Sequence, residues 1–406
     1  MGERRRTDFK RKNRAYFHAY FRFCGTVRRM AYRRETALLL CRVEREMRIL
    51  VVRLSAIGDV AVTANAVYSL RESLPDAKID WAVEEEASSL VSGFNFVNDI
   101  ILIPRRRYSN YLVRNPFRLL RLPTTMLRFL HHIRRNYDVV LDFQGNFRSG
   151  LLTLLSGAKK RIGFSAGRVY EASHIFYTTK VRLPHSPINR VEKMFRLLNE
   201  IGVKKEPIMR PVPFEFSPND KAAVERFLYE QRAFNKKLLV VHPGASKFGE
   251  FKRWSIANYA ALCYHLANDP DALIVITWSG EELLSAIELV KLSRNNKTII
   301  APRFETIRQL AYLLKRSSLV IGGDTGPLHI AALFETPSIA LFGPKDPIVY
   351  RPWNKNCRVV RGDVPCSPCR KRRCSEKKCM EAITVEMVLD AVKNMLENAS
   401  PVGSVR

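Results

Sequence analysis

The apolar run Ser318-Leu319-Val320-Ile321 leads directly into Gly322-Gly323-Asp324-Thr325-Gly326-Pro327-Leu328-His329 and then into Ile330-Ala331-Ala332-Leu333-Phe334. Strand, glycine-bearing turn and helix in that order aim free backbone N–H groups at an anion. Pro327 suits the first helical turn, where an N–H has no partner to lose. The same order occurs near the start of the chain. A strand of the fully buried kind, Met47 to Leu54, is followed by Ser55-Ala56-Ile57-Gly58-Asp59-Val60 and a helical pattern from Val62 to Leu74.

Further strands are expected at Lys78–Val83, Ile100–Ile103 and Asp138–Asp142, with a helical pattern from Arg148 to Leu155. Residues 204–220 carry Pro207, Pro211, Pro213 and Pro218, a break in composition that reads as a linker. The pattern then restarts, with strands expected at Lys237–His242, Ala272–Thr277, Leu319–Ile321 and Ser338–Phe342. Strands alternating with helices at this spacing imply parallel βαβ units and doubly wound sheets. The expected organisation is a basic extension over 1–46, a first Rossmann-like domain over 47–205, a linker and connecting helix over 206–236, and a second Rossmann-like domain over 237–397. Two such domains hold ligand in the cleft between them, at the carboxyl ends of the strands.

The net charge of +29 is concentrated in three places. Residues 1–48 hold 15 Lys/Arg against 5 Asp/Glu. Between Asp99 and Asp138 there are 9 Lys/Arg and no acid, and between Cys366 and Cys379 there are 6 against one. Such patches suit an anionic partner: nucleic acid, anionic lipid or a phosphorylated glycolipid. In residues 1–46 the cations interleave with Tyr16, Phe17, Tyr20, Phe21 and Phe23, the pattern of an interfacial amphipathic helix or of a basic tail. No run reaches the length of a membrane span and no secretory signal is visible, so a cytoplasmic location is expected.

Cys366, Cys369, Cys374 and Cys379 give C-x2-C-x4-C-x4-C within a basic stretch. That spacing suggests a structural zinc site, with free thiols as the alternative. No G-x-G-x-x-G follows the first strand and no G-x-x-x-x-G-K-[ST] occurs. A dehydrogenase and a phosphate-loop NTPase are thereby disfavoured.

Several residues could carry chemistry. Asp59 is either an N-cap or a general base facing the cleft. Asp324, Thr325 and Gly326 offer N–H groups and a hydroxyl to a diphosphate, and His329, one turn on, is either a core residue or a ligand. Lys252 follows the turn Gly244-Ala245-Ser246 and could neutralise a leaving phosphate. Glu281, just past a strand end, either holds a ribose diol or offsets a helix dipole.

These motifs together resemble the ADP-heptose:lipopolysaccharide heptosyltransferases, inverting glycosyltransferases of the two-Rossmann GT-B type. The resemblance rests on Arg53–Asp59, Asp138–Gly145, Lys160–Phe164, His242–Ser246, Lys252-Arg253-Trp254, Gly323–His329 and Phe342–Pro347, in family order across about residues 47–390. It implies that Asp59 is the base, that Ser246 and Lys252 hold the donor diphosphate, and that Glu281 binds the ribose. It further implies that Asp324 contacts sugar hydroxyls, that Thr325 and Gly326 bind phosphate, and that His329 supports their loop. The implied donor is ADP-L-glycero-D-manno-heptose, and the implied acceptor is a lipid A–Kdo glycolipid or its heptosylated form at the inner face of the cytoplasmic membrane. No metal is expected to be required for transfer, and no nucleic acid is expected as a partner. The chain departs from the family in its basic N-terminal extension, in a Gly244–Lys252 stretch about two residues longer, and in the basic region Arg105–Arg135. The alternatives are the same fold with another nucleotide sugar, in O-antigen or capsule assembly, or a non-enzymatic module that binds membrane or nucleic acid.

Overall fold

The computed structural model describes residues 46–103, 133–167, 171–244, 247–369 and 374–397. Most of the first two basic patches, and residues 370–373 of the third, lie outside these residues. Two six-stranded sheets organise the rest. The first comprises β1 (Arg48–Val52), β2 (Lys78–Glu84), β3 (Asp99–Ile103), β4 (Val139–Asp142), β5 (Lys160–Phe164) and β6 (Thr179–Val181), in the order β3-β2-β1-β4-β5-β6. The second comprises β7 (Lys237–His242), β8 (Ala272–Ile276), β9 (Thr298–Ile300), β10 (Leu319–Gly323), β11 (Ser338–Phe342) and β12 (Cys357–Arg361), in the order β12-β11-β10-β7-β8-β9. Every pairing is parallel. Counted from its own first strand, each sheet has the order 3-2-1-4-5-6, whose switch point lies between strands 1 and 4.

The central strands are apolar throughout because both their faces are covered. The helices that cover them are α1 (Ile57–Ser73), α2 (Glu85–Val91), α3 (Phe147–Leu155), α4 (Arg190–Asn199), α5 (Pro218–Glu230), α6 (Ile256–Leu266), α7 (Leu283–Leu292), α8 (Ile307–Arg316), α9 (Gly326–Ala332), α10 (Pro347–Tyr350), α11 (Lys378–Glu381) and α12 (Val385–Glu397). Side-chain caps start many of them: Asn146 for α3, Asn189 for α4, Ser217 for α5, Ser255 for α6, Thr306 for α8 and Asp346 for α10. By contrast, α1 starts on Ala56 and α9 on Thr325, neither with a side-chain cap.

One apolar cluster runs through both halves, joining Val60 and Val67 of α1 to Leu313 of α8 and to Leu328 and Ile330 of α9. The chain crosses between the halves over residues 204–217 and is tied to each of them. Val212 N donates to Leu333 O (2.7 Å) on one side, and Glu215 N donates to Gly93 O (2.7 Å) on the other.

The structure changes some expectations. Helix α1 begins at Ile57, not Val62, since Val60 N already donates to Ala56 O (2.9 Å). Asp59 therefore sits in the first helical turn and is not the N-cap. Strands β5, β6, β9 and β12 are additional, and all four lie toward the sheet edges, where Lys160, Arg161, Arg358 and Arg361 interrupt the apolar pattern.

Helices α1 and α9 meet at their uncapped starts. A methyl group on Gly58 would lie 3.1 Å from Gly326 Cα and 3.2 Å from His329 Cδ2. Gly58→Ala would normally stabilise a helix. Here we expect the change to cost about 1 kcal/mol, by overpacking a backbone contact. Equilibrium urea unfolding measures it, and a stability at or above wild type would mean that the helices separate without cost.

Candidate active site

The carboxyl ends of the two sheets face a cleft of about 890 Å³. Its lining includes Asp59 and Arg190 from the first half, and Lys252, Glu281, Asp324, Thr325, Gly326 and His329 from the second. Seven of the eight site residues expected from sequence are thus described, and they border one space. The eighth, Ser246, lies outside the described residues.

Asp59 does not cap its own helix. Its Oδ2 pairs with the Arg53 guanidinium and its Oδ1 with that of Arg190. Arg53 is buried at the end of β1, where its Nη1 donates to Phe143 O (2.5 Å). Burial pushes Arg53 down to about 10, while nearby Asp142 acts in the opposite sense. Asp142 is itself fully buried at the end of β4. It accepts from Tyr177 OH (2.7 Å), Gln144 N (2.9 Å) and Gly145 N (3.0 Å). Burial pushes its carboxyl up, against the pull of these donors. Arg190 is also lowered to about 10, by burial first and then by the neighbouring charge of Arg53.

Across the cleft, Lys252 Nζ donates to Asp324 Oδ2 (2.9 Å) and to the Asp324 carbonyl. A 3₁₀ turn, Lys247–Lys252, brings the ammonium to the β10 turn. Burial alone would raise the Asp324 carboxyl, but His329 and Lys252 hold it well below the usual carboxylate range. His329 Nε2 lies 3.6 Å from Asp324 Oδ1. Burial lowers the imidazole, so it is neutral near pH 7, and its Nδ1 makes no hydrogen bond within the protein. Thr325 Oγ1 donates to Gly323 O (3.3 Å). Glu281 is exposed at the mouth of the cleft. Its neighbour Glu282 lies 3.6 Å from Arg253 and packs so closely on Gly244 that a methyl group there would lie 2.4 Å from its carboxylate.

Sequence reasoning missed Arg53, Arg190, Arg253 and Glu282 as site residues. Arg53 lies inside a quoted motif, and Arg253 follows Lys252, so position gave a signal for both. Nothing local marks Arg190, which only the packing of α4 brings to Asp59.

The four clustered cysteines differ in exposure. Cys379 is buried, Cys369 is partly exposed, and Cys366 and Cys374 are exposed. They lie near enough that burial and the other three thiols together push Cys379 up. Among the described residues, no three His, Cys, Asp or Glu side chains are placed as the ligands of one metal ion.

The fold is that of solved glycosyltransferases of the GT-B class. A family 9 glycosyltransferase from Veillonella parvula superposes with a TM-score of 0.70 at 18% identity, covering 87% of this chain and 98% of that one. The E. coli heptosyltransferase WaaC with ADP superposes with a TM-score of 0.67 at 23% identity, covering 86% and 100%. The chain belongs to glycosyltransferase family 9 (heptosyltransferase), whose sequence pattern it matches over residues 126–380. Its relatives include lipooligosaccharide heptosyltransferase 2 of Campylobacter jejuni, 24% identical over 84% of this chain and 96% of that protein. They also include lipopolysaccharide heptosyltransferase 1 of Salmonella typhimurium, 27% identical over 79% and 95%. Among the described residues no helix is long and apolar enough to cross a membrane.

His242, at the end of β7, tests the electrostatics of the cleft floor. It is buried with Nδ1 3.1 Å from Thr277 Oγ1, and burial lowers it from 6.5 to about 4. Between those values the unfolded chain takes up a proton that the native chain refuses, so native stability falls as the pH drops through that window. The loss is up to roughly 3 kcal/mol. Urea unfolding at pH 7 and pH 4.5 should show a smaller loss for His242→Gln than for wild type, and equal losses would refute the assignment.

Proposed function

We propose that the protein is an inverting heptosyltransferase of lipopolysaccharide inner-core synthesis, with ADP-L-glycero-D-manno-heptose as donor and Kdo–lipid A or its heptosylated form as acceptor. One observation carries the reading: Asp59 and the Lys252–Asp324 pair come from different halves of the chain and line the same cleft. The relatives named above support the sugar and the pathway.

In this reading the donor lies against the second half. Lys252, Thr325 and Gly326 meet its diphosphate, together with Ser246 and the uncapped start of α9. Glu281, at the mouth, takes the ribose hydroxyls, and Asp324 takes sugar hydroxyls. The acceptor lies against the first half with its hydroxyl at Asp59. The acceptor oxygen attacks the anomeric carbon while the bond from that carbon to the diphosphate oxygen breaks. Asp59 takes the hydroxyl proton, and ADP leaves with the bonding electrons. Attack opposite the leaving group inverts the anomeric centre. Lys252 and the amide donors meet the charge that develops on ADP, a task that a divalent cation performs elsewhere. The acceptor's phosphates and lipid suit a site on the cytoplasmic face of the inner membrane, reached through the basic patches.

Two experiments test the reading. In the first, ADP release is followed with ADP-heptose against UDP- and GDP-sugars, with Kdo–lipid A and its monoheptosylated form as acceptors. Acceptor-dependent release from ADP-heptose alone supports the donor assignment, and release from another nucleotide sugar replaces it. Asp59→Asn should lower kcat by about 10²–10⁴-fold while ADP still binds. Lys252→Ala should lower kcat by about 10²-fold. EDTA should leave the rate unchanged, and loss of activity restored by a divalent ion would remove the metal-free reading. In the second, elemental analysis of the purified protein decides the zinc proposal at Cys366, Cys369, Cys374 and Cys379. One zinc per chain, lost in Cys369→Ser, supports it; none removes it.

A further inference from the structure

The first turn of α4 contacts both halves of the molecule. Its cap residue Asn189 is buried and donates through Nδ2 to the carbonyls of Ile348 (3.4 Å) and Arg351 (3.2 Å) in the second half. Its Oδ1 accepts from Val191 N (2.9 Å), which fixes the start of the helix. The next residue, Arg190, reaches the other way. Its guanidinium pairs with Asp59 Oδ1 and lies 5.7 Å from the centre of the Tyr350 ring of α10.

Asp59 is thus held by one guanidinium on each oxygen, and the two differ in kind. Arg53 is anchored within the first half by the Phe143 carbonyl and the charge of Asp142. Arg190 is anchored on a helix start that is bonded to the second half. The charged and titratable groups that line the cleft with Asp59 are Arg190 on α4 and His242, Glu250, Lys252, Arg253, Glu281, Glu282, Asp324 and His329 from the second half, with Arg53 paired to Asp59 at the end of β1. A carboxylate has about four lone-pair sites, so two ion pairs leave room for an acceptor hydroxyl while removing rotational freedom.

We propose that Arg190 is a positioning residue for Asp59, directing its carboxylate at the acceptor hydroxyl and tying that direction to the contact between the two halves. The inference rests on the reading of Asp59 as the base. A planar guanidinium fixes direction in a way that an ammonium does not. The ion pair couples the two charges, so the acid limb of the rate profile should depend on Arg190.

The test is kcat and donor KM across pH for wild type, Arg190→Gln, Arg190→Lys and Asp59→Asn, each checked for folding by thermal melting and for ADP binding by titration. Arg190→Gln should lower kcat by about tenfold or more, the scale of a misdirected catalytic group. Loss of the paired cation should move the acid limb to higher pH. Donor KM should stay within about threefold. Arg190→Lys should keep the wild-type acid limb while kcat stays several-fold low; a wild-type kcat in this variant overturns the directional role, even where the Gln variant fails to fold. An unmoved pH profile in Arg190→Gln overturns the proposal. So does a tenfold rise in donor KM at unchanged kcat, which would make Arg190 a donor ligand. If Asp59→Asn is inactive and the Arg190→Gln profile is unmoved, only this inference fails. If Asp59→Asn keeps wild-type activity, the base reading fails, and this inference fails with it.

Discussion

The site depends on a contact between two glycines. Gly58 and Gly326 stand at the starts of α1 and α9, and their backbones approach until a single methyl group would crowd them. Each helix follows a strand that ends at its sheet's switch point, so the contact joins the active edge of one sheet to that of the other. Asp59 is one residue from the first glycine, and Asp324 is two residues from the second. Their shared cleft follows from backbone geometry before any side chain takes part.

Much of this architecture was legible because parallel sheets leave a strong trace. Buried strands carry continuous apolar runs, such as Leu238–Val241 and Ile339–Phe342, and glycine-bearing turns mark their ends. The edge strands were not legible. Lys160–Phe164 and Cys357–Arg361 carry charges that a half-exposed edge tolerates and an apolar pattern does not reveal. The start of α1 was placed late because Gly58 and Asp59 read locally as a turn, whereas the packing against α9 makes them helical.

The site divides in the same way. Asp59, Lys252, Asp324 and His329 sit in local motifs, and the structure brings them to one cleft. Arg190 sits in no such motif. Its place is set by packing, since the neighbouring Asn189 amide bonds the far half across 159 and 162 residues of sequence. Residues fixed by such long-range packing leave no local periodicity to read. The carboxylates show how the environment then sets charge. Asp142 is pushed up by burial despite three donors, while Asp324, also buried, is held down by Lys252 and His329. Burial disfavours the anion in both, and a nearby cation decides the outcome.

The bare starts of α1 and α9 have a thermodynamic consequence. Six of the other helices begin on an Asn, Ser, Thr or Asp side-chain cap, whereas these two leave their first amide donors without one. On the proposed function, a nucleotide at the start of α9 binds the native chain and has nothing comparable to bind in the unfolded one. By mass action, ligand at a hundred times its Kd then adds about 2.7 kcal/mol to the stability of the fold. In the proposed function, the protein's resistance to unfolding then tracks its nucleotide supply.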